Sequence, residues 1–381
     1  MRVGKIPKIK SIRHLYTDFT RCKSSKNFVL RKESAVAFNV DALPQINGDE
    51  YAKFIVDGET LVIKNNGEVI SKNGERSSQF DVNNIFCTKV YIGGREYLYV
   101  SDGVKSAFVH PTLETIIPNY ASTVATFHKG RLYFYENCIF KSSAPLSPEI
   151  VDEGLSVDFL PYNNYGKALY AVDFCGFVYV VSEGGIFKFT EISDRRISVY
   201  NVVKFAVKIK EGSACLIGKH IYFLTDDAVF KLSGNTVDLL DEPIKKGYFL
   251  KGAICAGFGE SYFIKNESGE VIAFCNGIYP FANLFGVEVN RCGVFRLALE
   301  EVFNSYEVKI VLPRGFTSLK KIRCDVKGAG TLEVFSKGNS KKYSLNPGEN
   351  LLKIGVYCDE FVVKITSHDN EQIIYSLEYE Y

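Results

Sequence analysis

The chain has 381 residues, enough for two domains or one large repeat domain, and 46% of them are hydrophobic, enough for an ordinary packed core. Its 46 basic and 44 acidic residues leave a net charge of +2 with no long run of either sign, which excludes the electrostatic footprint of a nucleic-acid binder. Twenty-nine Phe and 23 Tyr, with many Val and Ile and no Trp, favour strands over helices, because such side chains suit a pleated, half-buried surface.

Residues 1–30 are basic and weakly patterned and read as an N-terminal arm. They lack the apolar core and small-residue cleavage site of a signal peptide. No stretch of the chain approaches the ~20 apolar residues of a membrane span, so the expectation is a protein kept in the cytoplasm where it is made. Arg31–Gly48 offers one short strand, Ala35–Val40, before a Pro-containing turn.

A repeat then begins. GRLYFYENCIFKSSA from Gly130 reads as a β-hairpin: a glycine, a strand of bulky residues, a polar turn at Glu136–Asn137 and a second strand ending in Phe-Lys. GFVYVVSEGGIFKFTE from Gly176 and GKHIYFLTDDAVFKLSG from Gly218 repeat it, with looser copies from Gly58, Gly94 and Gly259. The six starts are 36, 36, 46, 42 and 41 residues apart, and steps of roughly 40–45 residues with several strands each predict propeller blades. Gly, Asn and Asp mark the turns at Asn65–Asn66–Gly67, Ser101–Asp102–Gly103, Glu183–Gly184–Gly185 and Thr225–Asp226–Asp227. Further strands are expected between the cassettes, giving about six blades over 31–311. Five or seven remain open, since Val287–Ile310 could complete a last blade or close the ring with the N-terminal strand. An open two-sheet or solenoid arrangement is the structural alternative.

After Pro313–Arg314–Gly315 the pattern changes to shorter strands: Lys321–Val326, Thr331–Ser336, Lys342–Leu345, Asn350–Val356, Phe361–Thr366 and Ile373–Tyr381. Their regular spacing predicts a small β-sandwich over 312–381. The fold class is therefore all-β, a propeller followed by a sandwich.

Catalytic patterns are scarce. None of His14, His110, His128, His220 and His368 has metal-ligand spacing, and His128 and His220 read as turn or strand-edge residues. There is no GxSxG elbow. Asp152–Glu153, Asp226–Asp227 and Glu300–Glu301 read as solvated pairs. The ten cysteines are scattered through strand-like runs without a CxxC pair, and read as reduced core residues. No metal, cofactor or catalytic residue is expected. The Asp-box, WD and kelch repeats typically carry a Trp that is missing here. Tyrosines such as those in Leu132–Tyr133–Phe134–Tyr135 read as blade packing.

Two segments resemble the tail-nozzle and tail-tube proteins of short-tailed bacteriophages. RKESAVAFNVDALPQINGDEY (Arg31–Tyr51) resembles their opening block, and FHKGRLYFYENCIFKSSAPLSPEIVDEG (Phe127–Gly154) their propeller segment. Arg131–Leu132 and Ser142–Ser143–Ala144–Pro145 stand at the family's Arg-Leu and Ser-to-Pro positions, while Tyr133 replaces a frequent Trp. The resemblance implies a non-enzymatic virion component that assembles as a ring with itself and other virion proteins, inside a bacterial host and then in the virion. DNA would be only passing cargo. The candidate interaction residues are Arg131, Tyr133, Ser142 and Pro145, joined by Tyr162, Asn163, Asn164 and Tyr165 from the polar, aromatic loop in the longest gap between cassettes. The alternatives are a ligand- or carbohydrate-binding propeller and, behind it, a glycoside hydrolase with an unfamiliar acid pair.

Overall fold

The computed structural model describes residues 13–15, 24–26, 28–30, 35–70, 79–112, 114–158, 164–193, 196–226, 228–240, 253–275, 279–280, 284–298, 304–312, 318–357, 360–367 and 372–381. The chain is all-β, built from many small sheets, with a 3-10 turn at Val40–Ala42. Two compact units form. One comprises Leu43–Ile278 and Gly286–Ala298, and the other Met1–Ala42, Tyr279–Phe285 and Leu299–Tyr381.

The larger unit is a succession of antiparallel sheets in chain order. The first is Glu50–Val56, Glu59–Lys64 and Val69–Ile70, and the second Phe86–Ile92, Arg95–Ser101 and Ser106–Val109. The third runs through Ala125–His128, Arg131–Glu136, Ile139–Ala144 and Ser147–Asp158, and the fourth through Ala168–Phe174, Phe177–Ser182, Gly185–Ser193 and Arg196–Lys204. The fifth is Cys215–Ile217, His220–Leu224, Val229–Ser233 and Thr236–Leu240; the sixth includes Ile254–Phe258, Ser261–Lys265 and Val271–Cys275. A seventh sheet has a mixed origin: the hairpin Val287–Asn290/Gly293–Leu297 takes Gln45–Ile46 as a parallel edge strand.

Each cassette glycine lies in a two-residue turn between the first and second strands of its sheet. Asp57–Gly58, Gly93–Gly94, Lys129–Gly130 and Cys175–Gly176 carry two consecutive positive φ values, the type I′ pattern whose twist matches the flanking strands. At Gly218 and Gly259 only the glycine is positive (φ 57° at each), as in type II′. The turn expected at Glu136–Asn137 lies one residue later: Glu136 ends its strand, and Asn137 and Cys138 hold the positive φ values of 50° and 63°.

The cassette strands are apolar on both faces because both faces are covered. Leu132 and Phe134 pack toward the second sheet, with Val90, Tyr99 and Phe108, whereas Tyr133 packs toward the fourth, with Val178 and Val180. The same division recurs at Tyr179 and Val181, which join Ile221 and Phe223 of the fifth sheet, and at Tyr222 and Leu224, which join Tyr262 and Ile264 of the sixth. Strand Ile254–Phe258 of the sixth sheet lies against both hairpin strands of the seventh. Ile46 and Phe295 of the seventh share a cluster with Leu61 and Ile63 of the first and Leu98 and Val100 of the second. The circuit of sheets therefore closes on itself.

In the smaller unit, one sheet has the order Phe28–Leu30, Ala35–Ala37, Ile373–Glu380, Ser318–Val326, Gly348–Tyr357, with Arg13–Leu15 also paired to Ile373–Glu380. The other has the order Ser24–Lys26, Asn304–Val311, Glu360–Ser367, Gly330–Ser336, Asn339–Leu345. Alternate residues of both (Tyr306, Val308 and Ile310; Phe361, Val363 and Ile365; Ile322, Cys324 and Val326) form one buried cluster.

All six strands expected after 315 are present, each extended by one to a few residues at one end or both except the last, which stops at Glu380. The expected borders move. Three strands from 1–30 pair within the smaller unit's sheets, and so do Ala35–Ala37 and Asn304–Val311, which had been placed within 31–311. A three-residue N-terminal strand finds backbone partners only by joining a sheet built elsewhere in the chain.

Candidate functional site

The 127–154 segment forms most of the third sheet. Tyr133 pairs with Ser142 across Arg131–Glu136 and Ile139–Ala144, and both side chains are buried. Ser142 Oγ donates to the Ser143 carbonyl at 2.9 Å. Arg131 Nη1 donates to the Ser143 carbonyl and to Asp152 Oδ2, each at 2.8 Å, which fixes the guanidinium along the outer strand. Three of the expected interaction residues thus hold the sheet together and are not displayed by it. Pro145 is exposed, and so is its neighbour Leu146, at 71%. Leu146 has φ 59°, and its N–H donates to the Gly130 carbonyl at 2.7 Å.

Tyr162 and Asn163 lie outside the described residues, and Asn164 is exposed. Tyr165 is half-buried: its ring meets Phe187 edge-on at 5.1 Å, and its hydroxyl accepts from Asn201 Nδ2 at 3.1 Å. It serves as a packing residue of the fourth sheet.

The feature that the sequence did not announce is a cavity of about 500 Å³ lined from six of the seven sheets or the segments leading into them. Its wall includes Phe86, Val124, Leu169, Tyr170, Leu216 and Ala256. Lys167 and Glu211 also line it, ion-paired at 2.6 Å, and Arg291 is exposed there. Four cysteines, Cys87, Cys215, Cys255 and Cys292, line it too. Burial raises the Cys87 and Cys215 thiols well above the ordinary range and pushes Cys255 up to about 12. Burial also raises the Tyr170 hydroxyl, which accepts from the Leu216 N–H at 3.1 Å. These groups are neutral at pH 7.

Two of the described histidines reach from one sheet to the next, and a third bonds within its own sheet. His128 Nδ1 lies 3.1 Å from Asp173 Oδ2, and His220 Nδ1 2.9 Å from Ser233 Oγ. Buried His110, just past the second sheet's third strand, reaches Asp57 Oδ2 at 3.2 Å, and Arg95 reaches the same oxygen at 3.1 Å. The His110 hydrogen bond, followed by that from Arg95, lowers the Asp57 carboxyl below its ordinary range. A carboxylate with a depressed folded pKa contributes stability that is complete above its unfolded value near ~4 and is lost as pH falls through the folded value. We therefore expect Asp57→Asn, which suits the positive φ of 48°, to flatten the fall of the thermal midpoint below about pH 4. Thermal melts of both proteins between pH 3 and 7 check this; parallel curves would remove Asp57 from the acid response.

Among the seven cysteines whose state is described, all are free thiols. The expectation of core cysteines fits Cys255 and Cys324, which are buried. It fails at Cys138 and Cys175, which stand in hairpin turns with φ 63° and 52°. Cys22 and Cys358 lie outside the described residues.

No protein-family model and no curated protein matches the chain. Among solved structures, it is similar to a catalytically inactive variant of virginiamycin B lyase from Staphylococcus aureus, solved with quinupristin. The identity is 14% and the TM-score 0.41, over 69% of this chain and 98% of that one. It is also similar to the extracellular domain of the putative hybrid two component system BT4673 from B. thetaiotaomicron (9% identity, TM-score 0.41, 87% of this chain and 47% of that one). A third is PorZ, a surface component of the type-IX secretion system of Porphyromonas gingivalis (8%, 0.40, 87% and 46%). The chain spans under half the length of the last two. Likenesses this distant carry no argument about what the chain does.

Proposed function

We propose that the protein is a non-enzymatic interaction scaffold: a seven-bladed β-propeller closed by an N-terminal strand, joined to a β-sandwich, that assembles with copies of itself. The observation that carries this reading is Leu146. A leucine held at φ 59° costs on the order of 1–3 kcal/mol, and at 71% exposure its side chain recovers little of that by burial within the chain. Strained, exposed apolar residues on a rigid sheet are what a docking contact supplies. Ile150, 56% exposed, follows on the adjoining strand. The narrower reading, a tail or neck subunit of a bacteriophage, rests on the resemblance of 31–51 and 127–154 alone.

Light scattering of the full chain across a concentration series tests the reading. We expect a discrete multimer that Leu146→Asp reduces toward the monomer, with the urea midpoint shifted by no more than about 0.5 kcal/mol in stability. A wild-type monomer at every concentration overturns self-assembly.

One observation favours a second reading, a small-ligand site. The cavity offers Tyr135, Tyr170 and Arg291 around a volume of about 500 Å³, within the range of ligand pockets. Calorimetric titration with a panel of neutral and acidic glycans distinguishes it, because binding there would be insensitive to Leu146→Asp.

A further inference from the structure

The circuit of sheets has one slender joint. Gln45–Ile46 meets the seventh sheet through two register pairs, Arg296↔Gln45 and Leu297↔Ile46, reinforced by Arg296 Nη2 donating to Gln45 Oε1 at 2.5 Å. Two thiols stand beside this joint. Cys87 lies on the first strand of the second sheet, opposite Val100. Cys292 lies in the turn of the seventh-sheet hairpin, where its N–H donates to Asn290 Oδ1 at 2.9 Å. Asn290 Nδ2 in turn donates to the Tyr51 carbonyl of the first sheet at 2.6 Å, so the turn is anchored across the joint. The two sulfurs are 3.8 Å apart, and both residues line the cavity.

We propose that Cys87 and Cys292 are a redox-responsive dithiol site, oxidised by low-molecular-weight disulfides to a bond that fastens the ring where its backbone pairing is thinnest. Oxidation needs the sulfurs to close to about 2.05 Å, a short approach for side chains that already touch. Both thiols are half-buried at the cavity wall, and we take Cys292, in the hairpin turn, as the entry point because desolvation raises the Cys87 thiol. The Cys292 thiolate attacks one sulfur of glutathione disulfide, forming a mixed disulfide and expelling one glutathione thiolate. The Cys87 thiolate then attacks the Cys292 sulfur, forming the Cys87–Cys292 bond and expelling the second. The two protein thiol protons pass to the two glutathione thiolates. The dithiol loses two electrons and the glutathione disulfide gains them.

The bond would close a loop of 205 residues. Constraint of the unfolded chain grows with loop length, so the thermal midpoint should rise on the order of 10 °C. This inference does not depend on self-assembly or on ligand binding.

The test incubates the full chain with glutathione disulfide over a series of redox ratios, followed by peptide mapping under non-reducing conditions, free-thiol titration and thermal melts. We expect loss of two thiols, a linked peptide containing Cys87 and Cys292 that dithiothreitol releases, and the higher midpoint. Cys87→Ser should stop at the mixed disulfide on Cys292. The proposal is overturned by a folded wild-type protein that never yields the 87–292 peptide, or by oxidation that links Cys215 to Cys255 instead. A linked protein with an unchanged midpoint overturns the fastening role. The wild-type map decides the pairing without any variant.

Discussion

Phe134→Ala should lower the stability of the larger unit by about 3–5 kcal/mol, one of the two largest losses expected from a single substitution in this chain. Phe134 has no exposed surface, and its ring stacks on Tyr120 with centroids 4.0 Å apart and planes 7° from parallel. Tyr120 also stacks against Tyr99 at 6.1 Å, so the column crosses from the third sheet to the second. Alanine removes the third-sheet end of that column and leaves a cavity between two sheets, and sheet-to-sheet packing relaxes poorly around a void. In urea, the midpoint should fall with the slope unchanged, since the surface exposed on unfolding hardly alters. Ile150→Ala, at an exposed site of the same sheet, serves as the reference and should stay within about 0.5 kcal/mol. A small loss at Phe134 would mean that the two sheets are not held by this contact.

The elements legible in the sequence are those whose environment leaves a local mark. Leu132–Tyr133–Phe134 and Val178–Tyr179–Val180–Val181 read as continuous apolar strands because neighbouring sheets cover both faces. Gly58, Gly94, Gly130 and Gly176 recur because a type I′ turn requires positive φ at two residues in a row. Phe361, Val363 and Ile365 alternate because one face of their sheet meets a core and the other does not.

What stayed hidden has no local mark. Gln45 and Arg296 are 251 residues apart, and a two-residue parallel strand shows no periodicity. This is why the six cassettes read as about six blades, with a last blade from Val287–Ile310 or a closing N-terminal strand only left open. Arg13–Leu15 and Ser24–Lys26 are three residues each and take their place from partners at Ile373–Glu380 and Asn304–Val311. The Cys87–Cys292 contact spans 205 positions and follows from closure of the circuit alone. Arg131, Tyr133 and Ser142 were chosen as polar or aromatic members of a motif. The fold uses them inwardly, because a buried strand needs its hydroxyls and guanidinium to satisfy carbonyls. Leu146, the displayed residue, is one position beyond the chosen Pro145, and its backbone angle is invisible in a sequence.

Gly67→Ala should cost on the order of 3–5 kcal/mol, although it adds one methyl group. Two separate penalties meet there. Gly67 sits at φ 84°, closing the turn Asn65–Asn66–Gly67 with its N–H donated to the Lys64 carbonyl at 2.9 Å. An alanine in that conformation carries a steric cost of about 1–2 kcal/mol. A Cβ would also overlap the backbone carbonyl of Phe80, whose N–H donates to the Gly67 carbonyl at 3.0 Å. Backbone cannot rotate aside as a side chain can, so Phe80 has to shift. Its ring, 3% exposed, belongs to the cluster that joins the first, second and seventh sheets around the closing joint. Gly58→Ala separates the two penalties, since Gly58 has φ 81° and nothing within 4 Å of an added Cβ. It should lose only the conformational part, about 1–2 kcal/mol. Urea melts of the two variants measure the difference. Equal losses would show that Phe80 moves freely and that the first sheet is not tightly keyed to the joint. A larger loss at Gly67 would place the cost in displaced packing, at the point where the circuit of sheets is closed.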